Sequence, residues 1–265
     1  MSSDLEMLIK DILSPFNDIR KAAEAKFNYY YENMTLEDLD SLLNQLINIK
    51  DENIKIFICV IIKKFLSEKI NQNNTEKFIQ YLSSNKMKFI NILLYNETST
   101  KLIKNLLVCL IESLYLLKNN EALFIDNIYD IFSYFSQYYT NKKNSKEIKE
   151  ITRCLFIFRK FIKFMQKVTV NQKLESAIKS FYSIIIEDYK TNISNIINGN
   201  LNKELFLENA IYYLKLFKHS NTLMDDSYSD AILNNTYELN IYILNQLISN
   251  NIKNSESQIS KYLFV

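Results

Sequence analysis

Glycine and proline are almost missing from this chain: Gly199 and Pro15 are the only ones in 265 residues. An average protein carries about 7% Gly and about 5% Pro. Tight β-turns, β-bulges and phosphate-cradling loops need the positive φ of glycine or the fixed φ of proline. Their scarcity argues against a sandwich, a barrel, a dinucleotide-binding α/β domain and a P-loop enzyme. Tryptophan is absent, there is one histidine, His219, and only Arg20, Arg153 and Arg159 are arginine. A lone histidine builds no Ser-His-Asp triad and no multi-histidine metal site. Few arginines and a formal net charge of +2, from 32 basic and 30 acidic residues, argue against a dedicated nucleic-acid binder. No cofactor, metal or catalytic residue is expected.

Long apolar runs are missing too. The longest, Ile56–Ile62, falls far short of the ~20 residues of a membrane span, and the start, Met1-Ser2-Ser3-Asp4-Leu5-Glu6, has no signal-peptide character. A soluble intracellular protein without a membrane partner is expected. Cys59, Cys109 and Cys154 sit singly inside apolar runs, the pattern of small core residues in a reducing compartment.

What is present is helical periodicity. Hydrophobic residues make up 48% of the chain, enough to fill a core. Leu5, Leu8, Ile9, Ile12 and Leu13 mark a first helix that Ser14-Pro15 breaks. Asn17 or Asp18 is the expected cap of a second helix, with Ile19, Ala22, Ala23 and Phe27 inward. Thr35 and Asp38 form a capping box ahead of Leu39, Leu42, Leu43, Leu46 and Ile47. Asp51 and Asn53 are the expected caps of a helix carrying Ile54, Phe57, Ile58, Ile61, Ile62 and Phe65. Further helices are expected at 75–94, 99–117, 121–139, 145–166, 173–197, 203–218 and 228–249, with 71–75 and 141–145 as polar loops and Gly199 as a C-cap.

The second helices of successive pairs begin near 17, 52, 99 and 145. Such intervals suit helix-pair repeats, in which a pair buries its apolar face only by stacking on its neighbours. The expected fold is therefore all-α, an α-solenoid of about six HEAT-like (armadillo-type) pairs spanning 1–265. The apolar end Tyr262-Leu263-Phe264-Val265 would leave an uncapped terminal face prone to self-association.

Other features read as ordinary. Asp225, Asp226 and Asp230 lack the glycine and ligand alternation of a calcium loop. The runs Tyr29-Tyr30-Tyr31, Tyr138-Tyr139 and Tyr212-Tyr213 read as core-edge packing, because adjacent helical residues point different ways. His219 reads as a helix-end residue.

The segment Ser14-Pro15-Phe16-Asn17-Asp18-Ile19-Arg20-Lys21-Ala22-Ala23-Glu24-Ala25-Lys26-Phe27 resembles the opening repeat of the importin-beta superfamily, the karyopherins. Arg20, Ala23 and Glu24 match that family's pattern, with Phe27 in place of its usual leucine. The helices around Leu39–Ile49 and Ile54–Phe65 resemble its second repeat, so the likeness covers residues 1–70. Beyond that only the layout of helices is similar, nearest to the branch containing the CAS exportin. The chain departs from the family at Glu121-Ala122-Leu123-Phe124, where a Trp-Pro pair is usual, at Lys55, where arginine is usual, and in being much shorter.

The resemblance implies a nuclear transport receptor, or a fragment or shortened relative of one, shuttling between cytoplasm and nucleus. It implies binding of a Ran-type small GTPase in its GTP form through the second helices of the N-terminal repeats, with cargo proteins and FG nucleoporins as further partners. The residues placed on that surface are Arg20, Lys21, Glu24, Lys55, Lys63 and Lys104. Arg20 and Glu24 also stand four apart on one helix and suit an intrahelical ion pair. The other reading of the same features is a HEAT-repeat scaffold or adaptor for another protein.

Overall fold

The computed structural model describes residues 2–68, 75–96, 99–168, 171–198, 203–220 and 226–250. All regular structure among them is helical: α1 (Ser2–Ile12), α2 (Asn17–Glu32), α3 (Leu36–Asn48), α4 (Glu52–Glu68), α5 (Thr75–Asn91), which runs into a π-helical turn at Ile92–Asn96, α6 (Thr100–Tyr115), α7 (Glu121–Asn144), α8 (Ile148–Met165), α9 (Gln172–Ile197), α10 (Lys203–Ser220) and α11 (Asp226–Asn250). The chain is all-α, and its packing is that of helix pairs. No described helix is long and apolar enough to cross a membrane. Gly199, the 71–75 loop and the terminal Tyr262–Val265 lie outside the described residues or at their edge.

The chain divides into two compact units, Met1–Asn127 and Ile128–Val265. In the first, α2 and α4, and likewise α4 and α6, run parallel and touch. Phe27 of α2 meets Phe57 of α4 edge-on at 5.7 Å, and further along the Tyr31 hydroxyl donates to Glu68 at 3.0 Å. At the start of α4 and α6, Ser99 Oγ donates to Glu52 at 2.6 Å. Farther up the same pair, the Cys109 thiol donates to the Cys59 carbonyl at 3.2 Å. Lys88 of α5 forms an ion pair with Asp40 of α3.

The second unit repeats the arrangement. Lys173 of α9 lies over the Tyr129 ring of α7, Phe181 meets Phe132, and Asp188 meets Tyr139. Likewise Thr152, Phe156 and Gln166 of α8 and its end meet Asn209, Tyr212 and His219 of α10 in that order. Between these rows Phe158 stacks on Phe181 with centroids 4.2 Å apart, and Phe132, Phe135 and Tyr139 close edge-on around Phe158. Edge-to-face and offset rings gain about 0.5–1.5 kcal/mol per pair beyond their buried area. The three cysteines are free and buried, as their apolar settings require. Burial holds the Cys154 thiol up at about 12.

The caps show where local chemistry decides. The Thr35–Asp38 capping box is complete, each side chain accepting from the other's backbone N–H. Asp51 alone caps α4, accepting from Asn53 N and Ile54 N at 2.8 and 3.3 Å; Asn53 is a first-turn residue. The expected Asn17 or Asp18 cap is not used. Phe16, in extended geometry, holds the N-cap position without a side-chain bond, and Asn17 already lies inside α2. On α2 only Ala23 and Tyr31 are buried, while Ile19 is 46% exposed and Ala22 is exposed. Leu13 and Ile47 are likewise exposed. Ala22 and Ile47 stand one position off the buried Ala23 and Leu46, Leu13 lies just past the end of α1, and Ile19 lies in the first turn of α2.

The expected 141–145 loop is mostly helix, since α7 continues to Asn144. It ends in a Schellman motif: Glu147 N donates to Lys142 O at 3.1 Å and Lys146 N to Lys143 O at 3.0 Å. Lys146 occupies the left-handed position at φ 57°, where glycine is usual. A side chain with a Cβ pays about 1 kcal/mol in that conformation. Lys146→Gly should therefore stabilise the chain by about 0.5–1 kcal/mol, measured as a raised midpoint in urea unfolding.

Candidate functional site

Each proposed GTPase-facing residue has a definite place in the first unit. Arg20, Lys21 and Glu24 lie on α2, Lys55 and Lys63 on α4, and Lys104 on α6. Lys21, Lys63 and Lys104 are exposed and Lys55 is half-buried. Because α4 and α6 are parallel and in register at Cys59 and Cys109, Lys55 and Lys104 sit at matching levels of adjacent helices. Lys63 lies close enough to Cys109 for its charge to act on that thiol. The helices thus bring Lys55, Lys63 and Lys104 onto one pair of packed elements. Arg20 is engaged within its own helix, by Asn17 Oδ1 and by Glu24 at 3.8 Å, with both side chains about half exposed. An exposed pair of this kind contributes about 0.3–0.5 kcal/mol.

A second constellation lies wholly within the second unit, and sequence reasoning missed it. A cleft of about 460 Å³ opens among α7, α8, α9 and α10. Its floor holds polar groups that are otherwise rare in this core. Asp188 is 8% exposed, Asn192 5% and Asn209 2%. Tyr139 donates to Asp188 Oδ2 at 2.7 Å, and its own oxygen lies 2.9 Å from the Tyr213 hydroxyl. With the Tyr139 proton on the carboxylate, Tyr213 is the donor of that second bond. Lys143, arriving from the last turn of α7, forms an ion pair with the other Asp188 oxygen. Asn192 donates to the Phe206 carbonyl at 2.7 Å, tying α9 to the start of α10, and Thr152 shares a 2.5 Å bond with Asn209.

Burial first, then the neighbouring Tyr213 and Asp188, push the Tyr139 phenol well up. Burial does the same to Tyr213. Both phenols stay protonated at neutral pH, so the group is an anchored hydrogen-bond chain with no activated nucleophile. Among the described residues no cluster of His, Cys, Asp and Glu could hold a metal ion. The signal was there to be read. On α9 the apolar stripe Ile178, Phe181, Ile185 is continued at the same spacing by Asp188 and Asn192, and a carboxylate inside a buried stripe requires partners.

A third feature is the single histidine. His219, in the last turn of α10, has its proton affinity lowered by burial, then by Arg159, Lys163, Lys218 and Lys160. It is half-buried, and Gln166, just past α8, donates to its carbonyl. Comparison of the chain with family models, with curated proteins and with solved structures gave no match.

Two expectations follow. Asp188→Ala removes the acceptor for Tyr139 and the counter-charge of Lys143 and should cost about 1–3 kcal/mol in urea unfolding. Asp188→Asn, which keeps an acceptor, should cost less. For His219 the folded value lies below the ordinary one, so the unfolded chain takes up the proton first as pH falls. Its contribution is complete above the ordinary imidazole value of 6.5 and is lost as pH drops through the lowered folded value. His219→Gln should flatten that part of the stability–pH curve.

Proposed function

We propose that this chain is a karyopherin-like docking protein that binds a Ran-type small GTPase in its GTP form and serves nucleocytoplasmic protein transport without catalysing a reaction. The observation that carries the reading is the Ser14–Phe27 signature. It follows a short first helix, spans the proline break and the greater part of α2, and is followed by α4 and α6 stacked in parallel. Lys21, Lys55, Lys63 and Lys104 are the contact candidates. Stacked pairs offer a broad, mostly polar face suited to a folded partner. Arg20 and Glu24 support α2 through their mutual ion pair. Cargo proteins and FG nucleoporins are the further partners, and residence in both cytoplasm and nucleus goes with the same reading.

One observation favours the second reading, a scaffold for another protein: the Arg20 and Glu24 of the signature are turned to each other and to Asn17. The decisive experiment is capture of purified Ran-type GTPase, loaded with a non-hydrolysable GTP analogue or with GDP, on the immobilised chain. The transport reading expects retention of the GTP form only, weakened about tenfold or more by Lys63→Glu with Lys104→Glu. Equal retention of both forms, or none, would leave the scaffold.

A further inference from the structure

The carboxyl-terminal halves of α8 and α10 carry basic residues and no acid. From Ile151 to Leu174 the chain contains Arg153, Arg159, Lys160, Lys163, Lys167 and Lys173 and not one Asp or Glu. From Asn209 to Met224 it contains Lys215, Lys218 and His219, again without an acid. The two helices are parallel and packed together, so these halves lie side by side. Their ends are tied by Gln166 and the His219 carbonyl, and lower down by the edge-on Phe156–Tyr212 pair at 5.9 Å. Lys160 lies over the Phe156 ring and Lys215 over Tyr212. Among the described residues Arg159, Lys163, Lys167, Lys215 and Lys218 form no ion pair, and the buried Arg159 Nε makes no hydrogen bond. Arg153 is excluded from this group, being paired with Glu150.

Helix ends do attract cations, since the last carbonyls carry a partial negative charge. One or two basic residues per end satisfy that charge. Here the groups crowd past that point. After burial, Arg159 lowers the proton affinity of Lys215, and four neighbours lower that of His219. A surface that repels itself is relieved by an anion.

We propose that the face formed by the carboxyl-terminal halves of α8 and α10 docks an acidic segment of a partner protein, with Arg159, Lys163, Lys215 and Lys218 as the principal contacts. The dimensions suit a short peptide. Arg159 to Met165 covers about 9 Å of helix at 1.5 Å per residue, and packed helices stand about 8–10 Å apart. That area spans a few residues of extended chain. It is small for a nucleic-acid track, and its aromatic rings face each other and two lysines, leaving no open plane for a base. Lysine, which predominates here, neutralises carboxylates as a point charge without demanding fork geometry. This surface lies in a different unit from the GTPase candidates and does not depend on them.

The test uses the full chain and fluorescein-labelled poly-glutamate, with poly-glutamine as the neutral control, followed by fluorescence anisotropy. Saturable binding of poly-glutamate alone, weakening as salt rises, is expected. Lys163→Glu with Lys218→Glu should weaken it by about tenfold or more, whereas Lys21→Glu with Lys63→Glu should leave it within about twofold. Circular dichroism checks that each variant is helical; should the charge reversal unfold the chain, Lys163→Gln with Lys218→Gln replaces it with a smaller loss expected. Absence of binding, binding indifferent to the α8–α10 substitutions, or tighter binding of an oligothymidylate than of poly-glutamate would overturn the proposal.

Discussion

The interior helices of this protein have two apolar stripes each, and that doubling determines how the chain packs. On α4, Ile54, Ile58, Ile61 and Phe65 form one stripe, and Cys59, Ile62 and Leu66 form a second, turned around the same cylinder. On α9, Ile178, Phe181 and Ile185 are joined by Tyr182, Ile186, Tyr189, Ile193 and Ile196. One antiparallel hairpin partner covers a single stripe of a helix. The second must be covered by another element, and the next helix in the same direction is the one within reach. Parallel contacts between α4 and α6, and between α8 and α10, follow from this. A chain with almost no glycine or proline has no other element to offer. Its turns are made by residues that do the work less comfortably, as Lys146 does at the end of α7.

Polar groups inside such a stack are costly, so their positions carry information. Asp188 sits where the Ile178, Phe181, Ile185 stripe of α9 would continue. A carboxylate there is tolerated because Tyr139, Lys143 and, through Tyr139, Tyr213 surround it. These residues come from α7, α9 and α10, so the network fastens three helices at one level of the second unit. Apolar packing among them is non-directional and would accept a sliding of one helix along another. Hydrogen bonds at 2.7 and 2.9 Å would not survive that displacement.

Much of this was legible in the sequence, and the parts that were not share a cause. The capping box at Thr35, the buried stripe Leu39, Leu42, Leu43 and Leu46, and the limits of α9 all follow from local pattern, and each is as the residues imply. The same pattern turns Ile19, Ala22 and Ile47 inward, and all three are exposed. Periodicity gives the width of an apolar face but not which edge of it a neighbour reaches. The 141–145 segment reads as loop by composition, yet the backbone there is satisfied by continuing α7, because Lys142, Asn144 and Ser145 are compatible with a helix that nothing stops before Lys146. The Tyr139–Asp188–Tyr213 chain needs partners 49 and 74 residues away. No local pattern shows such a pairing, although the misplaced carboxylate on α9 announces that one must exist.

Charge shows the same division between sum and arrangement. The total of +2 describes no face of the molecule. In the first unit opposite charges are interleaved at helical spacing, in Lys10 with Glu6, Arg20 with Glu24 and Lys64 with Glu68, so much of the charge is matched locally. On the upper halves of α8 and α10 it is not matched. Salt screens charge over about 8 Å at physiological ionic strength, which is the spacing of neighbouring helices. A partner at the α8–α10 face therefore meets that cluster and little of the remainder. Near-neutrality of the whole chain argues against long-range attraction to a polyanion and is compatible with short-range capture of carboxylates. A helix end needs only a modest positive charge to balance its dipole. The excess beyond that lowers the proton affinity of its own members, and a fold selected for stability alone would have diluted it with the acids that the first unit uses freely.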